Sequence, residues 1–400
     1  MKIGIDAFVF QYPLTGVGTY TFQLIKELLK SYPEHEYILF LEKEKFDFPE
    51  FETIQKKAKL EFLDSELFGS RPLINRYINA FNRRILAKIF PRTNLFDLRF
   101  PRMNSKLQKA TANLDIFHSI DWYVYPSKHS KKNIVTIFDL VSELYPEFQE
   151  KICIQKDNLK RKFMKNYDKI LAISESTKND IVHYYNADPS KIEVTYLGTD
   201  EIFEKKSYIP KEILKKKYGI PENPEYILSV STIEPRKNFM QVLKTFQLFR
   251  DRYPKRDIYL VATGQCGWKQ EGLKKILDNH PFRDKIIFTG YSPLEDLPSL
   301  YHHASVFLYL SHYEGFGLPI LEAMKSGTPV ISSNTSSMPE VLGGAGELVS
   351  PDNTEEIVHA MEKILLNENH AKALIKKGLK RSELFSWEKT AKQVIKVYGS

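Results

Sequence analysis

Residues 311–333, SHYEGFGLPILEAMKSGTPVISS, decide the fold of this 400-residue chain. The run before them, residues 305–310 (SVFLYL), is short, apolar and rich in β-branched and aromatic residues, which is typical of a buried strand. Pro319 suits the first turn of a helix, and Gly327 suits the left-handed position just past its end. Residues 329–333 (PVISS) then predict the next strand. The stretch therefore predicts a strand, a glycine loop, a short helix and a strand of a parallel sheet.

The glycine loop before this helix is suited to binding an anion. The first N–H groups of a helix have no partner within the helix, and the helix dipole makes that end positive, so phosphate is a natural ligand there. Gly315 and Gly317 let the backbone approach such a ligand closely. Glu314 lies in the loop and Glu322 in the first turns of the helix. A carboxylate beside a phosphate site is costly unless it has another ligand, and the hydroxyls of a sugar or a ribose would use it as an acceptor.

The spacing of these two glutamates carries a resemblance to a known family. Glu314 and Glu322 are separated by seven residues in EGFGLPILE, which resembles the E-x7-E signature of the retaining GT-B glycosyltransferases of family 4 (glycosyl transferases group 1), mannosyltransferases among them. Residues 323–353 are similar to the same family. The resemblance implies an α/β GT-B fold, in which two Rossmann-like doubly wound domains face each other across a cleft. The alternative is an ordinary strand–helix–strand unit with a capped helix.

Composition and charge narrow the class of protein. Hydrophobic residues make up 42% of the chain and charged residues 27%, which is typical of a globular enzyme of two or three domains. Cys153 and Cys266 are far apart and lack metal-site spacing, so we expect a reducing cytosol and no disulfide framework. Residues 1–10 lack a signal-peptide cleavage pattern. The net charge of +8 indicates an anionic small molecule or membrane surface as a partner, and no nucleic acid is expected because no such motif is visible.

Apolar runs alternate with helical patterns in both halves of the chain. In the first half we predict strands at residues 2–6, 37–41, 115–119, 133–139, 169–174 and 192–196. In the second half we predict strands at residues 226–230, 258–262, 286–289, 305–310 and 329–333. The main helices are predicted at residues 19–30, 174–186, 238–250, 298–304 and 387–398. Two α/β halves of similar size predict two doubly wound domains.

The domain boundary is predicted in residues 205–224, which are charged and rich in proline and which we interpret as a linker. Residues 1–205 would form an acceptor-side domain, and residues 206–384 would form a nucleotide-sugar-binding domain. The resemblance implies that the C-terminal helix, residues 385–400, packs back onto the first domain.

Two glycines in TGVGTY, Gly16 and Gly18, stand at a predicted entrance from loop to helix. A tight turn explains them equally well. Position 21 is Thr, so the complete G-x-G-x-x-G is missing and a nicotinamide-binding site is disfavoured. The resemblance implies that this loop lies near the diphosphate or the acceptor.

His118 and Asp139 stand at the predicted carboxyl ends of strands, where parallel sheets bind ligands. A core histidine and a helix-capping aspartate are the alternatives. The family segment resembled here usually ends in His-Asp, but this chain has Phe138 before Asp139. The family's histidine contacts the donor sugar, so here either another residue supplies that contact or the sugar is bound differently, as a 6-deoxy hexose would be.

Arg236 and Lys237 follow the strand predicted at residues 226–230. A guanidinium offers a planar fork and an ammonium a compact charge, and together they can neutralise a leaving nucleoside diphosphate; a surface charge pair is the alternative. Many family members carry a further arginine where this chain has Ser231, so Arg236 would take over that contact. Tyr291 stands where the family's backbone holds the nucleobase, and a packing role is its alternative.

Residues 71–109 form the most basic region, with apolar residues at helical spacing. This pattern fits an amphipathic face that meets anionic lipid headgroups, although an ordinary surface helix with a solvated basic side is the favoured interpretation. A lipid-diphosphate-linked acceptor would suit the basic face. We therefore expect a cytoplasmic protein, with a peripheral location on the cytoplasmic face of the inner membrane as a hypothesis.

The activity implied by the resemblance is the retaining transfer of a hexosyl group, with mannosyl favoured, from a nucleotide sugar to a glycan or lipid-linked glycan of a surface polysaccharide. GDP-mannose is the favoured donor, UDP-hexose and dTDP-rhamnose remain open, and no other cofactor is expected. No D-x-D occurs in the chain, which agrees with a metal-independent site. The competing classes are a GT-B sugar-nucleotide epimerase or phosphorylase and a catalytically inactive sugar-nucleotide-binding protein.

The predicted site divides into two groups. The predicted catalytic residues are Glu314, Arg236 and Lys237. The predicted donor-binding residues are Gly16, Gly18, Asp139, Gly315, Phe316, Gly317, Leu318, Glu322 and Tyr291. Glu314 would bind sugar hydroxyls and Glu322 the ribose hydroxyls, while the cations and the helix N-terminus stabilise the departing diphosphate.

Overall fold

The structure, a computed structural model, describes residues 1–11, 16–41, 51–63, 106–121, 125–149, 151–204, 208–221, 225–265 and 273–400. The chain forms two compact units. The first contains Met1–Ile137, Asn158–Leu171 and Val397–Ser400, and the second contains Phe138–Asp157 and Ala172–Lys396. The boundary at residues 205 and 206 and the return of residues 385–400 to the first domain stay predictions.

A seven-stranded sheet is built from the first half of the chain. Its strands are β1 (Lys2–Asp6), β2 (Glu36–Leu41), β3 (Lys59–Phe62), β4 (Ile116–Ile120), β5 (Lys132–Ile137), β6 (Lys169–Ala172) and β7 (Ile192–Val194). Their order is β3-β2-β1-β4-β5-β6-β7, and β1 pairs in parallel with both β2 and β4. Ile3 and Ile5 of β1 are fully buried, as are Leu24 and Leu28 of the helix that follows it. Near-continuous apolar strands of this kind are typical of a parallel sheet covered on both faces.

A six-stranded sheet follows in the second half. Its strands are β8 (Glu225–Val230), β9 (Ile258–Thr263), β10 (Ile286–Gly290), β11 (Val306–Tyr309), β12 (Val330–Ser333) and β13 (Glu347–Val349). Their order is β10-β9-β8-β11-β12-β13, with parallel pairing of β8 to β9 and to β11. The chain therefore changes direction across the sheet between β8 and β11. Such a switch point opens a crevice at the carboxyl ends of its two strands.

Helices of the described residues connect these strands. In the first half they are α1 (Gly16–Ser31), α2 (Phe51–Gln55), α3 (Val141–Leu144), α4 (Lys151–Phe163) and α5 (Glu175–Tyr185). In the second half they are α6 (Lys211–Tyr218), α7 (Phe239–Arg252), α8 (Leu273–Asp278), α9 (Leu297–His302), α10 (Leu318–Lys325), α11 (Met338–Leu342), α12 (Thr354–Leu365), α13 (Glu368–Ser382) and α14 (Trp387–Gly399). The core of the second unit joins β8, β9 and β11 to α7 and α12 through buried residues such as Leu260, Phe246 and Ile357.

Most predicted elements agree with the structure within two residues, and the doubly wound parallel α/β fold is confirmed. Three predictions need correction. Residues 205–224 are not a plain linker, because α6 lies inside them and buries Leu214. Helix α1 begins at Gly16, so both glycines belong to its first turn rather than to a loop before it. Strands β3 and β13 were missed, because four and three residues are too few for a clear apolar pattern.

The membrane hypothesis rests on residues 71–109, most of which lie outside the described residues. In the part of the chain that the structure describes, no helix has the length and apolarity needed to cross a bilayer.

Candidate active site

The switch point of the second sheet brings two loops together. One loop, residues 231–238, follows β8 and contains a short 3₁₀ turn at Pro235–Lys237. The other, residues 310–317, follows β11 and leads into α10. The backbone N–H of His312 donates a hydrogen bond to the carbonyl oxygen of Arg236 at 2.9 Å, which ties the loops to each other. Arg236 and His312 stand 76 positions apart in the sequence, so the strand order rather than their spacing brings them side by side.

The three predicted catalytic side chains meet in this crevice. Arg236 Nη1 donates to Glu314 Oε2 at 2.8 Å, and Lys237 Nζ donates to Glu314 Oε1 at 2.6 Å. The exposed fractions of these side chains are 15% for Arg236, 12% for Lys237 and 9% for Glu314. Each carboxylate oxygen therefore has its own cation, and the three groups form one nearly buried cluster that we call the Arg–Lys–Glu cluster.

Further contacts hold the two cations of the cluster. Arg236 Nη2 and Nε donate to Glu234 Oε1 at 2.8 and 3.1 Å, and Arg236 Nη1 also donates to the carbonyl oxygen of Tyr313 at 2.8 Å. Lys237 Nζ donates to the Tyr309 hydroxyl at 3.1 Å. The sequence predicted the two cations but not these partners, since Glu234 and Tyr309 gave no separate signal. Groups fixed in this way are preorganised to face a developing charge.

The cluster keeps Glu314 ionised. Burial alone would raise the pKa of Glu314, but the charges of Arg236 and Lys237 and the hydrogen bond from Lys237 outweigh it and lower the pKa to about 2. Burial and the neighbouring Arg236 lower the pKa of Lys237, and Glu314 works against this effect. Glu314 therefore carries a negative charge throughout the neutral range, as an acceptor for hydroxyl groups must.

The two loop glycines are required for different structural reasons. A Cβ on Gly315 would lie 2.1 Å from the carbonyl oxygen of Phe138, so a larger residue cannot fit without moving the backbone. Gly317 has a φ of +101°, a conformation that side-chain-bearing residues rarely adopt, and it precedes the first residue of α10. The need for Gly315 thus comes from the packing of the chain against itself, a cause that the sequence interpretation did not include.

A ring contact and hydrogen bonds from two serines hold the remaining residues of the loop. Phe316 is buried, with its ring 5.7 Å from that of Phe385 in an edge-on arrangement, so it can offer a ligand only its backbone. The hydroxyl of Ser337 donates to the carbonyl oxygens of Glu314 and Phe316 at 2.9 and 2.8 Å. The N–H of Glu314 donates to Ser336 Oγ at 2.9 Å. Sequence reasoning missed both serines, which lie more than 20 positions further along the chain.

Glu322 lies on α10 in a different environment. Its Oε2 accepts a hydrogen bond from the hydroxyl of Tyr301 at 2.9 Å. Burial raises the pKa of Glu322 to about 7, helped by the charge of Asp200 and opposed by the Tyr301 hydrogen bond. The structure gives Glu322 a phenol as its partner and does not connect it by hydrogen bonds to the Arg–Lys–Glu cluster. Its role at the ribose stays a prediction.

The other predicted donor-binding residues lie in three places. Asp139 Oδ1 accepts a hydrogen bond from the N–H of Val141 at 3.2 Å, which is the contact of a turn at the start of α3. Tyr291 follows β10, and 68% of its surface is exposed, so it does not pack in the core. Leu318 is the first residue of α10. Gly16 and Gly18 belong to the first unit, and their part in donor binding stays a prediction.

His118 is a core residue. It is fully buried, and its Nδ1 and Nε2 lie 2.7 Å from the Tyr398 hydroxyl and 2.8 Å from Thr136 Oγ1. Burial lowers the pKa of His118 to about 3. The functional interpretation of His118 was therefore wrong, and the alternative of a satisfied core histidine is correct.

Comparisons with known proteins identify the family of this chain. The family model described as Glycosyl transferases group 1 matches residues 210–381, and the model described as Glycosyltransferase Family 4 matches residues 14–202. The chain is 31% identical over 408 aligned positions to O-antigen chain mannosyltransferase B of Escherichia coli, a match that covers 100% of this chain and 99% of that protein. The chain therefore belongs to glycosyltransferase family 4.

Two further likenesses are informative. The serotype-specific mannosyltransferase WbdA of Escherichia coli is 34% identical over 231 residues, which cover 56% of this chain and 28% of that longer protein. The solved structure of sucrose-phosphate synthase from Thermosynechococcus elongatus has a TM-score of 0.74 at 18% identity and covers 100% of this chain and 98% of that one, which shows the shared fold. None of these findings supports an epimerase, a phosphorylase or an inactive binding protein.

Proposed function

We propose that this protein is a retaining, metal-independent glycosyltransferase that moves a hexosyl group, most simply mannosyl, from a nucleoside diphosphate sugar to a glycan or lipid-linked glycan acceptor. The observation that carries the proposal is the Arg–Lys–Glu cluster at the switch point of the second sheet. Mannosyl transfer in surface polysaccharide synthesis is supported by the relatives, which are an O-antigen chain mannosyltransferase and a serotype-specific mannosyltransferase. GDP-mannose is accordingly the favoured donor.

The difficult part of this reaction is the departure of the nucleoside diphosphate. The bond between the anomeric carbon and the phosphate oxygen breaks, the leaving oxygen becomes negative and the sugar ring becomes positive. Arg236 and Lys237 would stabilise the leaving oxygen, because cations in a nearly buried site act more strongly than in water. Glu314 would accept hydrogen bonds from sugar hydroxyls and favour the positive ring. The acceptor hydroxyl then bonds to the anomeric carbon, and its proton passes to the negative oxygen of the departing diphosphate.

We also propose, from the same cluster, that the enzyme needs no metal ion. Two nearly buried side-chain cations lie in this site, and they would neutralise the diphosphate as a metal ion does in other transferases. The backbone N–H groups at the start of α10 add a positive dipole next to Gly317. We propose that these groups together replace a metal ion and that no other cofactor is used. Glu322 would bind the ribose hydroxyls, and Gly16, Gly18, Asp139 and Tyr291 would complete the donor site.

A peripheral location on the cytoplasmic face of the inner membrane is proposed for the same reaction. The net charge of +8 and the basic segment at residues 71–109 support attraction to anionic lipid headgroups. Equal sedimentation with neutral and anionic liposomes would reject this part of the proposal without affecting the rest.

The test of the proposed function is transfer itself. We would incubate the protein with GDP-mannose, UDP-glucose, UDP-galactose or dTDP-rhamnose, a glycan acceptor and EDTA, and determine the anomeric configuration of the product by NMR. We expect transfer from GDP-mannose with the α configuration of the donor preserved. Inversion of the configuration would reject retention, and loss of activity in EDTA that Mg²⁺ restores would reject metal independence. No consumption of any nucleotide sugar would reject the function.

A further inference from the structure

An open cleft of about 600 Å³ lies beside the Arg–Lys–Glu cluster, within the second unit. Its walls come from α3, the start of α5, the loop after β11 and the residues that lead into α11. Tyr313 and Ser336 line the cleft and also touch the cluster, since Tyr313 accepts a hydrogen bond from Arg236 and Ser336 accepts one from Glu314. A molecule bound in the cleft would therefore lie next to the position proposed for the reacting sugar. The volume is within the range of small-molecule sites.

The charge of the cleft excludes an anionic occupant. Among its lining residues that the structure describes, none is Lys or Arg, and three are the acidic residues Glu175, Asp180 and Glu340. The N-terminus of α5, which would otherwise attract a phosphate, is already filled by the carboxylate of Glu340. The N–H groups of Glu175 and Ser176 donate to it at 2.8 and 3.3 Å, and the hydroxyl of Tyr196 donates at 2.6 Å. A diphosphate or a lipid headgroup would meet three carboxyl groups and neither Lys nor Arg among these lining residues.

The polar and aromatic groups of the cleft suit a neutral sugar. The hydroxyl of Tyr313 donates to Asp180 Oδ2 at 2.7 Å, and Tyr313 is the one hydrogen-bond partner of Asp180 in the described part of the chain. Burial raises the pKa of Asp180, Asp139 adds to this effect, and the Tyr313 hydrogen bond and His183 oppose it. A half-buried carboxyl group with a single hydrogen-bond donor has room to accept from the hydroxyl groups that a sugar brings.

Aromatic side chains contact one another along and behind one wall of the cleft. The ring of Tyr145 is stacked on that of Phe148 at 5.5 Å between centroids, and it lies 5.8 Å from the ring of Tyr313. Phe148 also stacks on His312 at 5.9 Å. Such a wall offers an apolar surface with polar edges, which matches the C–H face and the hydroxyl rim of a pyranose ring.

We propose that this cleft binds the terminal sugar of a neutral glycan acceptor, that Asp180 accepts hydrogen bonds from its hydroxyl groups, and that Tyr145 covers its apolar face. The inference rests on the proposed function and deepens it, because it assigns the acceptor's sugar, rather than a lipid diphosphate, to a defined place. Asp180 and Tyr145 then determine acceptor specificity and leave donor binding to the Arg–Lys–Glu cluster.

Direct binding tests the proposal without any transfer. Saturation-transfer NMR would be recorded with methyl α-mannoside, methyl α-glucoside, methyl α-galactoside and methyl β-N-acetylglucosaminide, and with mannose 1-phosphate as the anionic probe. We expect a signal from at least one neutral glycoside and a weaker one from the phosphate. Asp180→Asn and Tyr145→Leu should abolish that signal, while Tyr145→Phe, which keeps the ring, and Asp278→Asn on exposed α8 should preserve it. The absence of every neutral signal, or an equal signal from Asp180→Asn, would overturn the proposal.

Kinetics separates the acceptor from the donor. With GDP-mannose and a glycan acceptor, Asp180→Asn should raise the acceptor KM about 10-fold, the size expected for one hydrogen bond to a charged group, and leave the donor KM within about twofold. A change in the donor KM alone would overturn the proposal and make the cleft part of the donor site. If the wild-type protein consumed no nucleotide sugar, the proposed function would fail, and the NMR result would still decide the occupant of the cleft.

Discussion

Seven residues separate Glu314 and Glu322 in one motif, yet the loop after β11 and the helix α10 place them in opposite environments. In the loop, two cations lower the pKa of Glu314 to about 2. On the helix, burial beside a phenol raises the pKa of Glu322 to about 7. The comparison teaches that spacing alone does not assign a role. Glu314 stays ionised between Arg236 and Lys237, whereas Glu322 gains or loses its proton near neutral pH.

The largest effect should come from removing the fixed charge. Glu314→Gln keeps the shape of the side chain but leaves Arg236 and Lys237 without their shared counter-ion, so we expect kcat/KM for transfer to fall about 10³-fold. Steady-state kinetics with the nucleotide sugar measures this. Glu368→Gln, which changes an exposed carboxylate paired with Lys372, is the control and should have wild-type kinetics. Activity of Glu314→Gln within threefold of wild type would show that transfer does not need the charge of Glu314.

The structure also changes how the Glu314→Ala variant should be interpreted. From the sequence, this substitution should abolish transfer and leave the fold intact, because it removes contacts rather than core. In the structure it would leave the nearly buried Lys237 without its carboxylate partner, although Arg236 keeps Glu234, and breaking a buried ion pair in this way costs about 3 kcal/mol. Thermal unfolding should therefore accompany kinetics for either Glu314 variant.

Gly315→Ala should have the next largest effect, through packing. The added Cβ would lie 2.1 Å from the carbonyl oxygen of Phe138, so the loop must move, and we expect a loss of about 3 kcal/mol in the free energy of unfolding. Urea denaturation measures this loss. Gly399→Ala is the matched control, because no atom lies within 4 Å of its added Cβ, and its stability should be unchanged. Equal stability of the two variants would remove the packing reason for Gly315.

Glu322→Gln should make stability less dependent on pH. Because the folded-state pKa of Glu322 is about 7 and its ordinary value is 4.5, the folded protein binds more protons than the unfolded chain between these values. Its free energy of unfolding therefore falls as the pH rises from about 4.5 to 7. The amide removes this fall, so the variant should be about 2 kcal/mol more stable than wild type at pH 8 and should bind the donor more weakly.

Two measurements check this prediction. Urea denaturation at pH 5 and pH 8 gives the stability difference, and ¹³C NMR of labelled glutamate carboxyl groups gives the titration of Glu322 directly. A wild-type signal that is missing from Glu322→Gln should titrate near pH 7, and the signal missing from Glu314→Gln should not titrate above pH 4. A Glu322 signal that titrates near 4.5 would contradict the contrast between the two carboxylates.

Tyr301→Phe should have the smallest effect. The hydroxyl of Tyr301 donates to Glu322 at 2.9 Å and lowers its pKa, so its removal should raise the pKa of Glu322 further and cost about 1 kcal/mol in stability. The same ¹³C titration measures the shift. A lower pKa for Glu322 in this variant would show that the hydrogen bond from Tyr301 does not stabilise the charged carboxylate.

The sequence predicted those parts of the fold and site that local patterns determine. The strands β8, β9 and β11 could be predicted because a parallel strand is buried on both faces and is therefore continuously apolar. Arg236 and Lys237 lie in the loop after β8, and Glu314 lies in the loop after β11. The parts that were missed depend on distant contacts. The need for Gly315 is set by Phe138, and the partner of Glu322 is Tyr301, which is 21 positions away. His118 carries no sign in the sequence of its bonds to Thr136 and Tyr398.

The central claim is that Arg236 and Lys237, held in place by Glu314, bind the diphosphate of the donor. Isothermal titration of GDP into the wild-type protein and into Lys237→Met, which keeps most of the side-chain length but not its charge, tests this most directly. We expect GDP to bind the wild-type protein and its affinity to fall at least about 30-fold in the variant. Equal GDP affinity for both proteins would contradict the claim.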